Sequence, residues 1–373
     1  MCIMRIGVPL ETSDTRVSAT PETIKKLIKA NHQVFVESGA GLNSSITDEA
    51  YIASGATITD KATVLNSEML LRVNSPTMDE LAQIKPGTVV IGMLNPFATD
   101  NLHAMNSAKI TAFALEAIPR TSRAQSMDVL SSQANIAGYK AVLMAANTYG
   151  RFMPTLMTAA GTVKAARVLI MGAGVAGLQA IATAKRLGAV IEASDVRPQV
   201  KEQVESLGAK FLDVPFITDE EREIAEGSGG YARTMPPDWM RRQAELIHER
   251  AKLSDIIITT ALIPGRKAPV LIGEETVKAM KPGSVILDMA VLHGGNCPLS
   301  ESGKTVVKYG VHIIGEGRLP SLVAADASAL YARNILDFLK LLINPEGKFY
   351  INLEDDIVAA TLLCSNGEIL KKA

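Results

Sequence analysis

Val168-Leu169-Ile170-Met171-Gly172-Ala173-Gly174-Val175-Ala176-Gly177-Leu178 is the stretch on which the reading of this chain turns. Four aliphatic residues run without a break, as in a strand buried on both faces. Three glycines then fall in the spacing GxGxxG, and a helical pattern opens at Val175. A lone GxGxxG is a weak signal, but a strand before it and a helix after it give each glycine a task. Gly172 allows the tight turn, Gly174 lets the backbone approach a pyrophosphate, and Gly177 permits close helix–strand packing. The helix N-terminus offers free N–H groups and the positive end of its dipole to the same pyrophosphate. The next strand, 190–193, leads to Asp195, the expected place for a carboxylate that accepts hydrogen bonds from the adenosine ribose. An Asp there repels the 2′-phosphate of NADP and favours NAD, while Arg197 is of a type that can accommodate that phosphate. The alternative is a glycine turn of structural purpose only.

Outward from this motif, short aliphatic runs alternate with helical patterns. Expected strands before it lie at 3–8, 34–37, 69–73, 88–94 and 110–115, with helices at 22–30, 48–54, 78–84 and 101–107. Thr20-Pro21, Thr47 and Asp100 supply start signals for three of those helices. After the motif come a helix at 175–187, a strand at 190–193, a helix at 199–207 and a strand at 210–214. A strand at 255–260, a helix at 274–280 and a strand at 285–289 follow. Such alternation specifies parallel sheets covered by helices. Residues 131–149, rich in Ala, Asn and Met, read as one long helix, and a final apolar helix at 321–342 precedes a β-prone tail. The fold class is therefore α/β, with two Rossmann-like parallel-sheet domains and a cleft between them. The expected division is 1–130 with 321–373 as a discontinuous first domain, 131–160 as a linking helix region, and 161–320 as the Rossmann domain. The first domain has no phosphate-binding glycine pattern.

Composition narrows the function. A content of 47% hydrophobic and 21% charged residues is that of a globular protein, and aromatics at 4% leave the core to aliphatic side chains. A net charge of −1 without a basic stripe argues against nucleic acid as a partner. Cys2, Cys297 and Cys364 are few and far apart, which fits a reducing compartment and neither a disulfide framework nor a zinc site. The histidines His32, His103, His248, His293 and His312 have no metal-ligand spacing, so no metal is expected. Residues 1–10 do not read as a targeting segment, and no apolar run approaches the roughly 20 residues that span a bilayer.

Two further segments carry polar chemistry. Residues 119–133 follow the strand at 110–115, on the side where open α/β sheets hold ligands. Their side chains (Arg120, Arg123, Gln125, Ser126 and Asp128 among them) would face the cleft. A helix cap by Ser126 or Asp128 beside a surface Arg is the plainer reading. Residues 215–238 form a long loop with an acidic run and then Gly227-Ser228-Gly229-Gly230-Tyr231. It reads either as a solvated insertion or as a lid hinged at Gly229 and Gly230.

Taken together, Glu37-Ser38-Gly39-Ala40-Gly41, the loop 120–133, Asn135-Ile136-Ala137-Gly138-Tyr139, 172–187, 201–208, Gly229-Gly230-Tyr231-Ala232, 259–265 and Gly294-Gly295-Asn296-Cys297 closely resemble one family. It is the NAD(H)-binding component, domain I, of the proton-translocating NAD(P) transhydrogenases of the Si-Re (AB-specific) type. The resemblance spans nearly the whole chain. It implies hydride transfer from NADH to NADP(H) held on a partner domain III, with proton translocation in membrane partner chains. It also implies a homodimer and a cytoplasmic location, attached peripherally to the inner membrane through those partners. Residue by residue, it implies that Gln125 brings the two nicotinamides together, that Arg120 and Asp128 shape the loop around the ring, and that Ser131 lies beside the carboxamide. Tyr231 would fold over bound nucleotide. The implied cofactor-binding set is Arg123, Gly172, Gly174, Val175, Ala176, Gly177, Asp195, Val196, Arg197, Gly230 and Leu262.

A weaker resemblance extends to the alanine dehydrogenases, an alternative with a different reaction. Those enzymes need a Lys for the substrate carboxylate and a His for proton transfer. This chain aligns Asn74 and Asn95 there, and Leu292 where they have an Asp. Asn is no general acid or base near neutral pH, which argues against amino-acid oxidation. A non-catalytic NAD-sensing module is the third reading, and the intact 120–131 loop argues against it. The Asp195 reading predicts that NADH binds more tightly than NADPH. Equilibrium fluorescence titration with each nucleotide checks this, and equal affinities would overturn it and implicate Arg197.

Overall fold

The computed structural model describes residues 3–226, 235–263, 265–344 and 346–370. In chain order its strands begin with β1 (Arg5–Val8), β2 (Gln33–Glu37), β3 (Thr57–Thr59), β4 (Met69–Asn74), β5 (Val89–Met93) and β6 (Thr111–Ala114). There follow β7 (Leu156–Thr158), β8 (Gly161–Val163), β9 (Arg167–Met171), β10 (Val190–Ser194), β11 (Lys210–Phe211) and β12 (Ile256–Thr259). The last are β13 (Val285–Asp288), β14 (Lys304–Lys308), β15 (Val311–Gly315), β16 (Leu362–Ser365) and β17 (Glu368–Ile369). The chain divides into two compact units. One runs to Gln133 and resumes at Ser321; the other extends from Ala134 to Pro320. The helix Val129–Thr148 carries the chain from the first into the second.

In the first unit the sheet order is β17-β16-β6-β5-β4-β1-β2-β3. Strands β1 to β6 pair in parallel, while β16 joins β6 antiparallel and β17 joins β16 antiparallel. In the second unit the order is β11-β10-β9-β12-β13-β15-β14, parallel except for β14 on β15. Leaving out the antiparallel additions, both sheets run third-second-first-fourth-fifth-sixth along the chain, the doubly wound Rossmann order. The crossings that leave the first parallel strand on either side make a switch point at the carboxyl edge. It lies between β1 and β4 in one unit and between β9 and β12 in the other.

Alternate residues of each strand enter separate cores on opposite sheet faces. Met69, Leu71, Val89 and Ile91 pack in one cluster and Leu70 and Val90 in another. Ile256 and Ile258 likewise part from Ile257. Burial on both faces is why these strands read as unbroken aliphatic runs. A hydroxyl fixes the first core: Tyr331, on the helix Ala324–Leu339, donates to the Arg72 carbonyl at 2.7 Å and accepts from the Met93 N–H at 3.1 Å. It thereby ties together the carboxyl ends of β4 and β5.

Several local expectations need correction. Thr20 and Thr47 do precede their helices, but the helix Thr99–Ser107 begins after Ala98, so Asp100 lies in its first turn. The strand expected at 210–214 stops at Phe211. The stretch 215–238 is not all loop. Asp219–Glu226 is helical, and Pro237 begins the helix Pro237–Ala251. The acidic run Asp219-Glu220-Glu221 is the first turn of that short helix, where negative charge complements the dipole. The expected hinge and Tyr231 lie outside the described residues. The helix expected to start at 321 is preceded by a 3₁₀ turn, Leu319–Val323.

Replacing Tyr331 by Phe strands a part-buried N–H and a buried carbonyl while keeping the ring. We expect a loss of roughly 1–3 kcal/mol, read from urea denaturation of the full chain; a transition within error of the parent would show that the hydroxyl ties nothing.

Candidate functional site

At the switch point of the second unit, β9 is followed by Gly172, whose φ of +99° is a left-handed-side value that favours glycine. Gly174 is the extended cap of the helix Val175–Arg186. A Cβ on Gly177 would overlap the Gly172 carbonyl oxygen, and a Cβ on Gly172 would reach Thr260 Oγ1 at 2.5 Å. At Gly174, by contrast, the nearest atom to an added Cβ is Arg197 Nη2 at 3.8 Å. Of the three glycines, only Gly174 could carry a Cβ without a clash. Val175 and Ala176 form the first turn beyond it, with Val175 part-exposed.

Asp195 follows β10 and is already engaged. Its carboxylate accepts the Ala173 N–H at 2.7 Å and the Arg197 N–H at 2.9 Å. It also accepts both arms of the Arg197 guanidinium, at 2.9 and 2.8 Å. The Asp195 side chain is 5% exposed. Asp195 therefore braces the glycine turn, with the Arg197 guanidinium folded onto it. Val196 packs beside the small apolar cluster of Val214, Ala225, Met235 and Trp239. Leu262, just past β12, is 39% exposed.

Three residues that the sequence reading did not single out hold this edge. Thr260 donates to the Gly172 carbonyl at 3.0 Å, joining the end of β12 to the turn after β9. Asn296 donates to the carbonyls of Ala261 and Pro269 at 2.9 and 2.7 Å and so fixes the segment bearing Leu262. Asp288 is fully buried and accepts from the N–H groups of Ala290 and Cys297, both at 3.0 Å, and from Ser300 at 2.7 Å. A polar residue closing an aliphatic run, as Thr259-Thr260 and Asp288 do, is the sequence signal that could have found two of them. Gly138 belongs here as well: a Cβ on it would overlap the Ala176 carbonyl, so the helix Val129–Thr148 approaches the first turn of Val175–Arg186 at backbone distance.

The other candidate residues sit in the first unit. Ser122–Met127 is a 3₁₀ turn whose Ala124 and Met127 enter the core, while Arg120, Arg123 and Gln125 are exposed. Asn334 accepts from Ser132 and donates to the Ser126 carbonyl, both at 2.7 Å, which anchors the turn to the helix Ala324–Leu339. Asp128 accepts the Ser131 N–H at 2.9 Å and its hydroxyl at 2.6 Å, capping the long helix. Asp128 and Ser131 are thus partners of each other, and the cap that is the plainer reading of this segment is present. Arg123 makes a forked ion pair with Asp355, at 2.6 and 2.9 Å, and a further one with Asp356. The Arg123 hydrogen bonds, against a smaller opposing effect of burial, hold the Asp355 carboxyl down at about 2. Gly230 and Tyr231 lie outside the described residues. Among the described residues no group of His, Cys, Asp or Glu could hold a metal ion, and no helix is long and apolar enough to cross a membrane.

Known proteins resemble this chain over nearly its whole length. Residues 7–137 match the family described as alanine dehydrogenase/PNT, N-terminal domain, and residues 141–372 its C-terminal domain. The chain is 50% identical to the first section of the NAD(P) transhydrogenase alpha subunit of Rhodospirillum rubrum, over 99% of this chain and 98% of that protein. It is 29% identical to the alanine dehydrogenase of Methanococcus maripaludis, over 99% and 95%. Among solved structures, a transhydrogenase from Sinorhizobium meliloti superposes with a TM-score of 0.87 at 44% identity, covering 98% of this chain and 99% of that one.

The glycine geometry separates stability from binding. Gly177→Ala should destabilise the second unit by more than the roughly 1–3 kcal/mol of ordinary overpacking, because the obstacle is backbone. Gly174→Ala should leave thermal unfolding near the parent's. Equal melting temperatures for both variants, by calorimetry, would contradict the packing described.

Proposed function

The chain belongs to the alanine dehydrogenase/PNT family and, within it, to the NAD(P) transhydrogenase alpha subunits; from that premise we propose that it binds NADH and presents it for direct hydride transfer to NADP on a partner domain. The observation that carries this reading is the turn at the end of β9. It combines an unclashed Gly174, the N-terminus of a twelve-residue helix and the Asp195 carboxylate beside them. Gly174, Val175 and Ala176 would hold the pyrophosphate by backbone N–H groups, and Asp195 would take the adenosine ribose once Arg197 gives way. NADH bound there supplies the hydride.

The chain's own contribution is position. Direct transfer between two nicotinamides loses no proton to a side chain, so no general base is required, in keeping with Asn74 and Asn95 at the positions where the alanine dehydrogenases use Lys and His. What is required is approach of the two reacting carbons to about 3–3.5 Å with water excluded. Gln125 is the proposed guide, exposed on a turn whose neighbours Ala124 and Met127 are locked in the core. Arg120, Asp128 and Ser131 would shape the same surface. Partner domains would carry NADP and, in the membrane, the proton path; a homodimer attached to the inner membrane through them completes the proposal.

The test is a mixture. The purified chain alone should neither oxidise alanine nor sustain transhydrogenation; with an NADP-loaded partner domain it should transfer hydride. In that mixture Gln125→Asn should slow single-turnover transfer by on the order of 100-fold, measured by stopped flow, with the NADH dissociation constant close to the parent's. Parent-like rates in Gln125→Asn would remove that residue from the mechanism, and alanine oxidation without any partner would overturn the assignment.

A further inference from the structure

Gln125, the proposed guide of the two nicotinamides, stands exposed on the 3₁₀ turn Ser122–Met127. Such a turn gives a side chain little hold of its own, because 3₁₀ hydrogen bonds are poor in geometry. The placement of Gln125 must therefore come from what the turn is tied to. Ala124 and Met127 sink into the core. Two polar ties, one on each side of Gln125, add to that hold, and both come from the segment that resumes at Ser321.

The first tie is Asn334, 8% exposed on the helix Ala324–Leu339. Its Nδ2 donates to the carbonyl of Ser126, the residue after Gln125, and its Oδ1 accepts from the Ser132 hydroxyl, both at 2.7 Å. A carbonyl can only accept, so the Ser126 bond settles which way the amide points. The two bonds straddle Asp128, whose bonds to Ser131 cap the long helix. One buried side chain thus sets the end of the Gln125 turn against the start of that helix.

The second tie is Asp355. Arg123, two residues before Gln125, donates from Nη1 and Nη2 to the two Asp355 oxygens at 2.6 and 2.9 Å, and Nη2 also pairs with Asp356. Asp355 is itself fixed. Its Oδ1 accepts from the N–H groups of Ile357 and Val358 at 2.9 and 3.2 Å, capping the helix Asp356–Thr361, and both of those residues lie in the first core. Arg123 is 48% exposed, and an exposed ion pair adds little to stability. A fork on one carboxylate adds geometry instead, since both arms must lie along the two oxygens at once.

We propose that Asn334 and Asp355 are positioning residues of the hydride transfer, holding the turn from its buried and its exposed side so that Gln125 is presented in one place. Arg123 then serves the turn and not the nucleotide. The inference rests on the hydride-transfer reading and adds to it two residues that act only through Gln125.

The test separates position from stability. In the mixture of the full chain with an NADP-loaded partner domain, Asn334→Leu and Asp355→Asn should each slow single-turnover transfer by about 10-fold, short of the ~100-fold that a misplacement of ~1 Å costs. The NADH dissociation constant should stay close to the parent's in both. Asn caps helices as well as Asp does, so Asp355→Asn keeps the cap, loses the fork and should melt near the parent. Asn334→Leu should melt lower. Its control is Tyr331→Phe, which removes a hydroxyl from the same helix one turn earlier and leaves both ties of the Gln125 turn in place; that variant should also melt lower, yet transfer hydride at the parent rate. If Asn334→Leu fails to fold, Asn334→Asp, which still accepts from Ser132 but has no donor for Ser126, reads the same question. Beside an active parent, a parent-like rate in either variant would overturn the inference alone. So would a slowing in Tyr331→Phe equal to that in Asn334→Leu, or an NADH dissociation constant that rises in step with the loss of rate. A parent mixture that transfers no hydride would overturn the hydride-transfer reading and this inference with it.

Discussion

No side chain fits between the α-carbon of Gly177 and the carbonyl oxygen of Gly172. That absence lets the helix Val175–Arg186 start directly over the end of β9, and the rest of the edge follows from it. The turn is tight enough for the Gly172 carbonyl to reach Thr260 on the neighbouring strand and for the Ala173 N–H to reach Asp195. The same closeness recurs between Gly138 and the Ala176 carbonyl, which brings the long helix against the other side of that first turn. Backbone, not side chain, sets the distances.

Carboxylates do comparable work at the strand ends, beside the glycine turn and away from it. Parallel strands end with N–H groups that lack a ladder partner, and leaving these buried and unpaired is costly. Glu11 takes those of Val73 and Asn74 at the end of β4; Glu116 takes those of Leu94 and Asn95 after β5, at 3.0 and 2.8 Å. Asp195 and Asp288 do the same after β9 and β13. An acid is suited to this because one carboxylate accepts several charge-assisted bonds at once. The expense falls on burial, which pushes the Glu11 carboxyl up against the lowering pull of Arg72.

Legibility in the sequence tracks burial and backbone. Most doubly buried strands stand out as aliphatic runs, though β15 does not, its run being broken by His312, and the glycine spacing marks the turn because its geometry is a backbone property. The edge strands do not stand out. β14, with a lysine at each end, is exposed or only half-buried throughout, and β3 is three residues, Thr57–Thr59, so neither offers an apolar run. The helix Asp219–Glu226 is hidden because so much of it is acidic. Asp195 is legible but its present partner is not: a two-residue separation does not reveal that Arg197 folds back onto it. Arg123 is the same case at long range, since nothing in the order of residues brings Asp355 to it.

The chain path of the first unit has a consequence for synthesis. Its parallel strands β1 to β6 leave the ribosome first, yet β16, which covers the edge of β6, lies beyond residue 360, and the Tyr331 hydroxyl that ties β4 to β5 comes only shortly before. All of the second unit is translated in between. Domains usually fold in the order in which they emerge; here the unit begun first is completed last. Until then β6 is an open strand edge, able to pair with another nascent chain. The middle of the polypeptide must therefore fold while its amino-terminal third waits unfinished.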